Sequence, residues 1–315
     1  MISAQTQEQQ ASLKDRLIAL GDKVGNTPLH HFSEQLVNNK KIKLVAKMEW
    51  MQIGGSVKAR AAYSIIRSAI ESGQLNEKTI LLDATSGNTG IAYAAIAKEV
   101  GVKVSLCLPE NASKERKQIL TELGVEIIYT SPLEGTDGSQ EVARELVKDN
   151  AGKYFYADQY KNENNWKAHY NTTAIEIVNQ VPTITHFVAG MGTTGTFIGT
   201  GRRLRELDPS IKLIAFQPDS ALHGLEGWKH LETAVVPKIY DSTVPDEIIE
   251  ITTEESYEML QRVYEIENLL LSPSSAANIA GALKVASKIA EGTIVTILPD
   301  NADKYSEVIN KLIKK

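Results

Sequence analysis

The sequence predicts an α/β fold in two lobes, and three observations carry that reading. Short β-branched runs alternate with longer stretches of helical period, the pattern of parallel strands joined by crossover helices. Twice, at residues 85–90 and 190–196, an apolar strand hands over to a helix through a glycine-bearing turn. The chain is 315 residues long and 42% hydrophobic, enough for one or two cores of ordinary size, and a length near 300 favours two lobes.

The elements follow in order. The apolar run 42–49 reads as a strand and is followed by helix 57–72. Strand 79–84 leads to helix 90–100, strand 103–108 to helix 113–123, and strand 126–129 to helix 139–148. Helix 166–179 precedes strand 186–189, and helix 196–207, strand 212–216 and strand 293–298 complete the series. Two zones lack period: residues 130–138, with two Gly and one Pro, and residues 217–244, with two Gly and two Pro. The second reads as a functional surface loop.

Charge and cysteine content narrow the function classes. Lys and Arg number 34 against 39 Asp and Glu, a formal charge of −5, which makes nucleic acid and anionic membrane poor partners. The single cysteine, Cys107, cannot form an internal disulfide and reads as a buried strand thiol. No apolar stretch approaches the roughly 20 residues that span a bilayer, and residues 1–15 lack a signal-peptide core, so a cytoplasmic enzyme is expected. The six histidines show no compact ligand spacing with carboxylate or thiolate, so no metal is expected. Trp50, Trp166 and Trp228 are expected to pack in the core.

Four segments could carry chemistry. Gly190-Met191-Gly192-Thr193-Thr194-Gly195-Thr196 follows a strand and opens a helix, where free N–H groups and the helix dipole favour an anion such as phosphate. The same residues satisfy G-x-G-x-x-G, with Asp219 beyond the next strand, so by themselves they also fit a dinucleotide site or a plain tight turn. Thr85-Ser86-Gly87-Asn88-Thr89-Gly90 offers hydroxyl, amide and backbone donors at a helix start. It fits either a carboxylate grip or an ordinary N-cap. Gly54-Gly55-Ser56-Val57-Lys58 puts a lysine in the first turn of a helix, where the dipole opposes its charge and favours the neutral, nucleophilic amine; a solvated surface lysine is the other reading. Ser272-Pro273-Ser274-Ser275 is a hydroxyl cluster at a further helix start, readable as a cap, followed by small residues that suit a flat ligand. Jointly, the four make a site for a phosphorylated, lysine-bound cofactor and an amino-acid substrate. The nicotinamide reading uses only one of them.

The order and wording of these segments resemble the cysteine synthase and cystathionine β-synthase family of fold-type II, pyridoxal phosphate enzymes. The landmarks are Val24-Gly25-Asn26-Thr27-Pro28-Leu29, Gly55-Ser56-Val57-Lys58, Thr85-Ser86-Gly87-Asn88-Thr89-Gly90, Pro109-Glu110-Asn111, Gly192-Thr193-Thr194-Gly195-Thr196 and Pro273-Ser274-Ser275, and they span nearly the whole chain. The phosphate-loop wording is closer to the B branch of cysteine synthases than to the A branch. The resemblance implies two domains, each a mostly parallel sheet flanked by helices: a large cofactor-binding domain of residues 1–47 and 156–315, and a small mobile substrate-binding domain of residues 48–155. It matches Lys58 to the Schiff-base lysine and catalytic base, and Asn88 to the partner of the cofactor's ring hydroxyl oxygen. Gly192, Thr193, Thr194, Gly195 and Thr196 match the phosphate cradle, Ser274 the serine facing the pyridine nitrogen, and Thr85, Ser86, Thr89 and Gln159 the binders of the substrate carboxylate.

The activity so implied is β-replacement through an aminoacrylate: L-cysteine from O-acetyl-L-serine and sulfide, by a homodimer. Cystathionine β-synthase, O-phosphoserine sulfhydrylase and other β-replacement or elimination chemistry on serine derivatives are alternatives, as is a non-catalytic regulatory binding protein of the same fold. Several departures stand out. Gln52-Ile53 replaces the usual Asn-Pro, Ala59 a commonly polar residue, Ala276 a glycine, and Pro299-Asp300-Asn301-Ala302-Asp303-Lys304-Tyr305 the usual Gly-x-Arg-Tyr. Glu226 and Gly227 stand where several B-branch enzymes place arginine, so Glu226 is expected to repel a phosphate leaving group and favour O-acetylserine.

Overall fold

The computed structural model describes residues 11–85 and 87–313. Its first half builds α1 (Leu13–Leu20), β1 (Leu29–His31), α2 (Glu34–Val37), β2 (Ile42–Met48), α3 (Lys58–Glu71), β3 (Ile80–Ala84), α4 (Asn88–Val100), β4 (Lys103–Pro109), α5 (Lys114–Glu122), β5 (Glu126–Thr130), α6 (Gly135–Asp149) and β6 (Tyr154–Tyr156). Then come α7 (Asn164–Asn171), α8 (Thr173–Gln180), β7 (His186–Gly190), α9 (Gly195–Leu207), β8 (Lys212–Pro218), β9 (Glu247–Ile251), α10 (Thr253–Glu267), α11 (Pro273–Ala286), β10 (Gly292–Leu298) and α12 (Ser306–Leu312).

The strands form two sheets. Six order as β1-β2-β10-β7-β8-β9, parallel except for the β1–β2 pair, and four order as β5-β4-β3-β6, all parallel. Parallel neighbours need crossover helices, and these cover both faces, so the central strands are apolar along their length rather than alternating. Leu81, Leu82 and Ala84 in β3 and Phe187, Val188 and Ala189 in β7 are all buried. Cys107 is fully buried in β4, and its surroundings push the thiol up to about 12.

Helix α11 shows why so small a set of side chains was chosen. From Pro273 to Ala282 every residue is buried, and a Cβ on Gly281 would lie 2.5 Å from the Phe216 ring. Ser, Ala and Gly let the helix lie close against the sheet, with one end delivered to the cavity described below. Helix α1 packs through Leu13, Leu17 and Leu20 against α3 and α4, in the core of the four-stranded sheet.

All seven predicted strands form, but three further strands exist: β1, β6 and β9. Three to five residues long, they carry too little period to be read without their neighbours. Helix 166–179 divides at Thr172, whose φ of −124° and ψ of −67° leave the helical region, and α6 reaches back to Gly135, into the segment expected to be irregular. Helix α10 was absent from the predicted helices despite a legible start: Thr252 and Glu255 close a capping box. Residues 219–246 form the expected irregular loop between β8 and β9.

Candidate active site

Ligand sites of parallel sheets lie outside the carboxyl ends of the strands. Here residues just beyond β2, β3, β7 and β10 line a cavity of about 210 Å³, with Lys58, Thr85, Asn88, Thr89, Gln159, Gly192 and Thr193 in its wall. A narrower chamber of about 50 Å³ shares Lys58, Asn88, Gly192 and Thr193 and adds Thr194, Thr196, Ser274 and Asn278. Eleven of the twelve residues singled out above belong to described structure, and ten of them line these two spaces. The other is Gly195, beside them at the start of α9; Ser86 lies outside the described residues.

The turn between β7 and α9 is built for close approach. A Cβ on Gly192 would sit 1.8 Å from the Gly227 carbonyl oxygen, and one on Gly195 would sit 2.0 Å from Asn165 Oδ1. Thr194 adopts φ +71°, ψ −14°, a left-handed conformation that a β-branched residue rarely takes. Its Oγ1 is buried without a protein partner. Beneath the turn, Asn165 Nδ2 donates to Thr193 Oγ1 (3.1 Å) and to the Gln159 carbonyl (2.7 Å). His169 Nδ1 lies 2.9 Å from Thr173 Oγ1 and its Nε2 3.3 Å from Thr196 Oγ1; burial lowers its pKa to about 3, so it is neutral at working pH. Neither Asn165 nor His169 was singled out from the sequence, although their i, i+4 spacing places them on one face of α7.

Lys58 is the first residue of α3, half-buried, and lines both spaces. Burial lowers its pKa, and the Asp300 carboxylate acts in the opposite direction. Two residues on, Arg60 anchors the helix: Nε and Nη2 grip both oxygens of Glu49 (2.7 and 2.8 Å), and Nη1 and Nη2 grip Glu176 (2.6 and 2.8 Å). Lys47 Nζ meets Glu176 Oε2 at 2.8 Å, and Gln52 donates to Glu49 Oε2 at 2.8 Å. Gln52 also accepts from the Gly25 N–H, which gives the departure from Asn-Pro a structural use.

The turn after β3 is tied to Gln159. Thr85 Oγ1 accepts from the Gly87 N–H (3.1 Å), Thr89 Oγ1 donates to Gln159 Oε1 (2.7 Å), and Gln159 Nε2 donates to the Ala84 carbonyl (2.8 Å). Asn88 Nδ2 donates to Asp300 Oδ2 (2.8 Å), while Asn88 Oδ1 is buried without a partner among the described residues. Ser274, near the start of α11, shares a 3.3 Å contact with Ser272 Oγ.

The structure corrects the expectation for Glu226. Its carboxylate pairs with the buried Arg116 of α5, so it is not an unopposed negative charge at the mouth. Arg116 lies over the Tyr305 ring at 5.1 Å, and a second pair, Lys229 with Asp137 at 2.9 Å, crosses the same mouth. Trp228 packs as expected, stacked on Phe216 at 6.5 Å, but it also lines both spaces. Asp219 is exposed. Elsewhere, His230, Glu232 and Glu250 bring ligand atoms within 4.8 Å of one another, a spatial grouping that linear spacing does not show, with both carboxylates exposed.

A family model described as pyridoxal-phosphate dependent enzyme matches residues 20–300. The chain belongs to this family. Pyridoxal phosphate is its cofactor, and its architecture is the fold-type II one. A cysteine synthase of Aquifex aeolicus is 43% identical over 289 residues, covering 90% of this chain and 88% of that one. A cysteine synthase B of Pseudomonas aeruginosa is 36% identical over 289 residues, covering 91% and 95%. Among solved structures, the O-acetylserine dependent cystathionine β-synthase from Helicobacter pylori superposes with a TM-score of 0.86 at 31% identity, covering 98% of each chain. Among the described residues no helix is long and apolar enough to cross a membrane.

The cavity fits this cofactor by its own chemistry. A phosphorylated aldehyde needs a desolvated amine, an anion-accepting helix start and polar groups for its ring. Lys58 offers such an amine, the 13-residue helix α9 opens on the turn with the buried Thr194 hydroxyl, and neither that hydroxyl nor Asn88 Oδ1 has a partner among the described residues.

Proposed function

We propose that this enzyme makes L-cysteine from O-acetyl-L-serine and sulfide, releasing acetate. One observation carries the reading. The desolvated Lys58 amine opens onto the same cavity as both helix-start turns, 85–90 and 192–196.

In this reading Lys58 holds the cofactor covalently. Gly192, Thr193, Thr194, Gly195 and Thr196 hold its phosphate, Asn88 faces its ring hydroxyl oxygen, and Ser274 faces its ring nitrogen. The bound cofactor supplies an electron sink for the pair left at Cα when a proton is removed. Lys58, once the substrate amine has taken its place, accepts that proton at Nζ, and burial, which lowers its pKa, favours the free amine. Acetate leaves from Cβ and sulfide adds there. Ser274, a neutral hydroxyl, does not hold the ring nitrogen protonated as an aspartate would, which favours loss of the β-substituent over transamination. Thr85, Ser86, Thr89 and Gln159 take the substrate carboxylate, Gln159 through the N–H that Ala84 does not use.

O-Acetylserine is the preferred donor over O-phosphoserine. Both described cations at the mouth are committed, Arg116 to Glu226 and Lys229 to Asp137, which leaves neither free for a phosphate leaving group. A second reading, addition of homocysteine at Cβ to give cystathionine, is favoured by the likeness to the Helicobacter pylori O-acetylserine dependent cystathionine β-synthase. We further read residues 48–155 as the mobile domain against 1–47 and 156–315, with α1 travelling alongside the smaller unit because it packs there. A cytoplasmic homodimer is proposed, supported by the lone buried thiol and by the family resemblance.

The test is the visible absorbance of the purified protein. A cofactor band that changes with O-acetylserine and returns on adding sulfide is expected, with weaker response to O-phosphoserine. A change with O-acetylserine that only homocysteine reverses moves the assignment to cystathionine. Absence of any band after reconstitution with pyridoxal phosphate overturns the enzymatic reading in favour of a regulatory binding protein.

A further inference from the structure

The turn that opens α9 is held from below by a single amide. Asn165, the second residue of α7, is only 2% exposed. It lies where two glycines let α7 and α9 approach. A Cβ on Gly195 would sit 2.0 Å from Asn165 Oδ1, and one on Gly199, a turn further along α9, would sit 2.0 Å from the Trp166 carbonyl oxygen.

The partners of this amide dictate which way it faces. The Gln159 carbonyl, 2.7 Å away, can only accept, so the Asn165 amino group must be turned toward it. The second N–H of that group meets Thr193 Oγ1 at 3.1 Å, and there the hydroxyl oxygen must accept. A hydroxyl that accepts on one side keeps its own hydrogen for the other. Thr193 lines both spaces of the cavity, so this hydrogen is available to whatever fills the turn. His169 fixes no such direction at Thr196, because the ring nitrogen 3.3 Å from Thr196 Oγ1 donates or accepts according to its tautomer. Gln159 is itself held firmly. Its N–H reaches the buried Asp83 Oδ2 at 3.4 Å, and its side chain joins Thr89 Oγ1 and the Ala84 carbonyl. The carbonyl that orients Asn165 is therefore a fixed reference point.

We propose that Asn165 is a positioning residue for the cofactor phosphate: it makes the Thr193 hydroxyl a donor aimed into the turn before the cofactor arrives. A phosphate oxygen only accepts, and a hydrogen bond to an anion is stronger than one between neutral groups. A donor already oriented by a buried amide loses less freedom on binding than one that must first turn. The proposal rests on the reading of residues 192–196 as the phosphate cradle.

The experiment uses the full-length protein, stripped of cofactor and then titrated with pyridoxal phosphate or, separately, with pyridoxal. Each affinity is read from the visible absorbance. Ring and aldehyde are common to the two ligands, so the ratio of their affinities isolates the hold on phosphate. Asn165→Ala is expected to lower that ratio about tenfold while pyridoxal affinity stays within about twofold of the parent. Thr193→Val should lower the ratio by a similar factor. Adding Asn165→Ala to Thr193→Val should then lower it by less than about twofold more, because no hydroxyl is left to aim. An unchanged ratio in Asn165→Ala overturns the proposal, whether both affinities hold or both fall together, the second marking a role in packing alone. A further loss on the Thr193→Val background as large as in the parent also overturns it, since Asn165 would then act without the hydroxyl. If Asn165→Ala does not fold, Asn165→Ser, too short to reach both partners, takes its place with the same outcomes. A parent that binds pyridoxal as tightly as pyridoxal phosphate removes the phosphate reading of the turn itself, and that failure shows before any variant is compared.

Discussion

Thr194 is the residue where strain and function meet. A β-branched side chain at φ +71° costs on the order of 1–2 kcal/mol, and none of the described residues engages its hydroxyl in return. Thr194→Gly should therefore raise the melting temperature of the cofactor-free protein while weakening pyridoxal phosphate binding at least several-fold. Calorimetry with and without cofactor separates the two effects; a variant that loses stability in both states would remove strain from the account. The sequence announced this position only as part of a glycine and threonine turn. The threonine that takes the left-handed conformation stands between Gly192, which the Gly227 carbonyl crowds, and Gly195, which Asn165 crowds. Gln159 shows what the sequence alone does not say: its amide serves Thr89 and Ala84 and keeps one N–H toward the cavity.

At the scale of elements, the turn between β7 and α9 works because the loop 219–246 lies against it. Gly192→Ala would drive a methyl into the Gly227 carbonyl, so the turn and that loop must part. The expected result is a loss of cofactor affinity of at least about 100-fold, roughly 3 kcal/mol, with far-ultraviolet circular dichroism unchanged. Affinity within threefold of the parent would show that the loop yields without disturbing the turn. Strand-to-helix turns of this kind are legible in sequence because apolar run, glycines and helical period adjoin one another. The elements that stayed hidden have a physical reason for it: β1, β6 and β9 are edge or near-edge strands of three to five residues, defined by the register of a neighbour rather than by their own period.

At the scale of the molecule, the buried cluster of Lys47, Glu49, Arg60 and Glu176 ties β2, α3 and α8 together directly behind Lys58. Arg60→Met leaves Glu49 buried without its cation and Glu176 with Lys47 alone, and should cost about 3–5 kcal/mol in chemical denaturation; a cost under about 1 kcal/mol would mean that the cluster is dispensable. Its pH dependence has a definite sign. Burial opposes ionisation of Glu176, but its bonds to Arg60 and Lys47 prevail and depress its pKa to about 2, so its contribution is complete above the ordinary value of 4.5 and is lost as pH falls toward 2. Acid unfolding of Glu176→Gln should accordingly be shallower than the parent's over that window, and parallel curves would place the acid sensitivity elsewhere. The pairs Arg116–Glu226 and Asp137–Lys229 join the segment 48–155 to the loop 219–246 across the cavity mouth. Paired structures with and without O-acetylserine should differ by a rotation of that segment, with both pairs tighter in the substrate-bound form; superposable structures would count against closure. The sequence by itself determined the α/β class, the strand-to-helix turns, the family and the lysine at a helix start, because each is written in residues that are neighbours along the chain. Only the tertiary structure decided that Arg116 neutralises Glu226, that Asn165 and His169 underlie the turn, and that Asp300 holds Asn88, because those partners are tens to hundreds of residues apart and meet only when strand ends from two sheets converge.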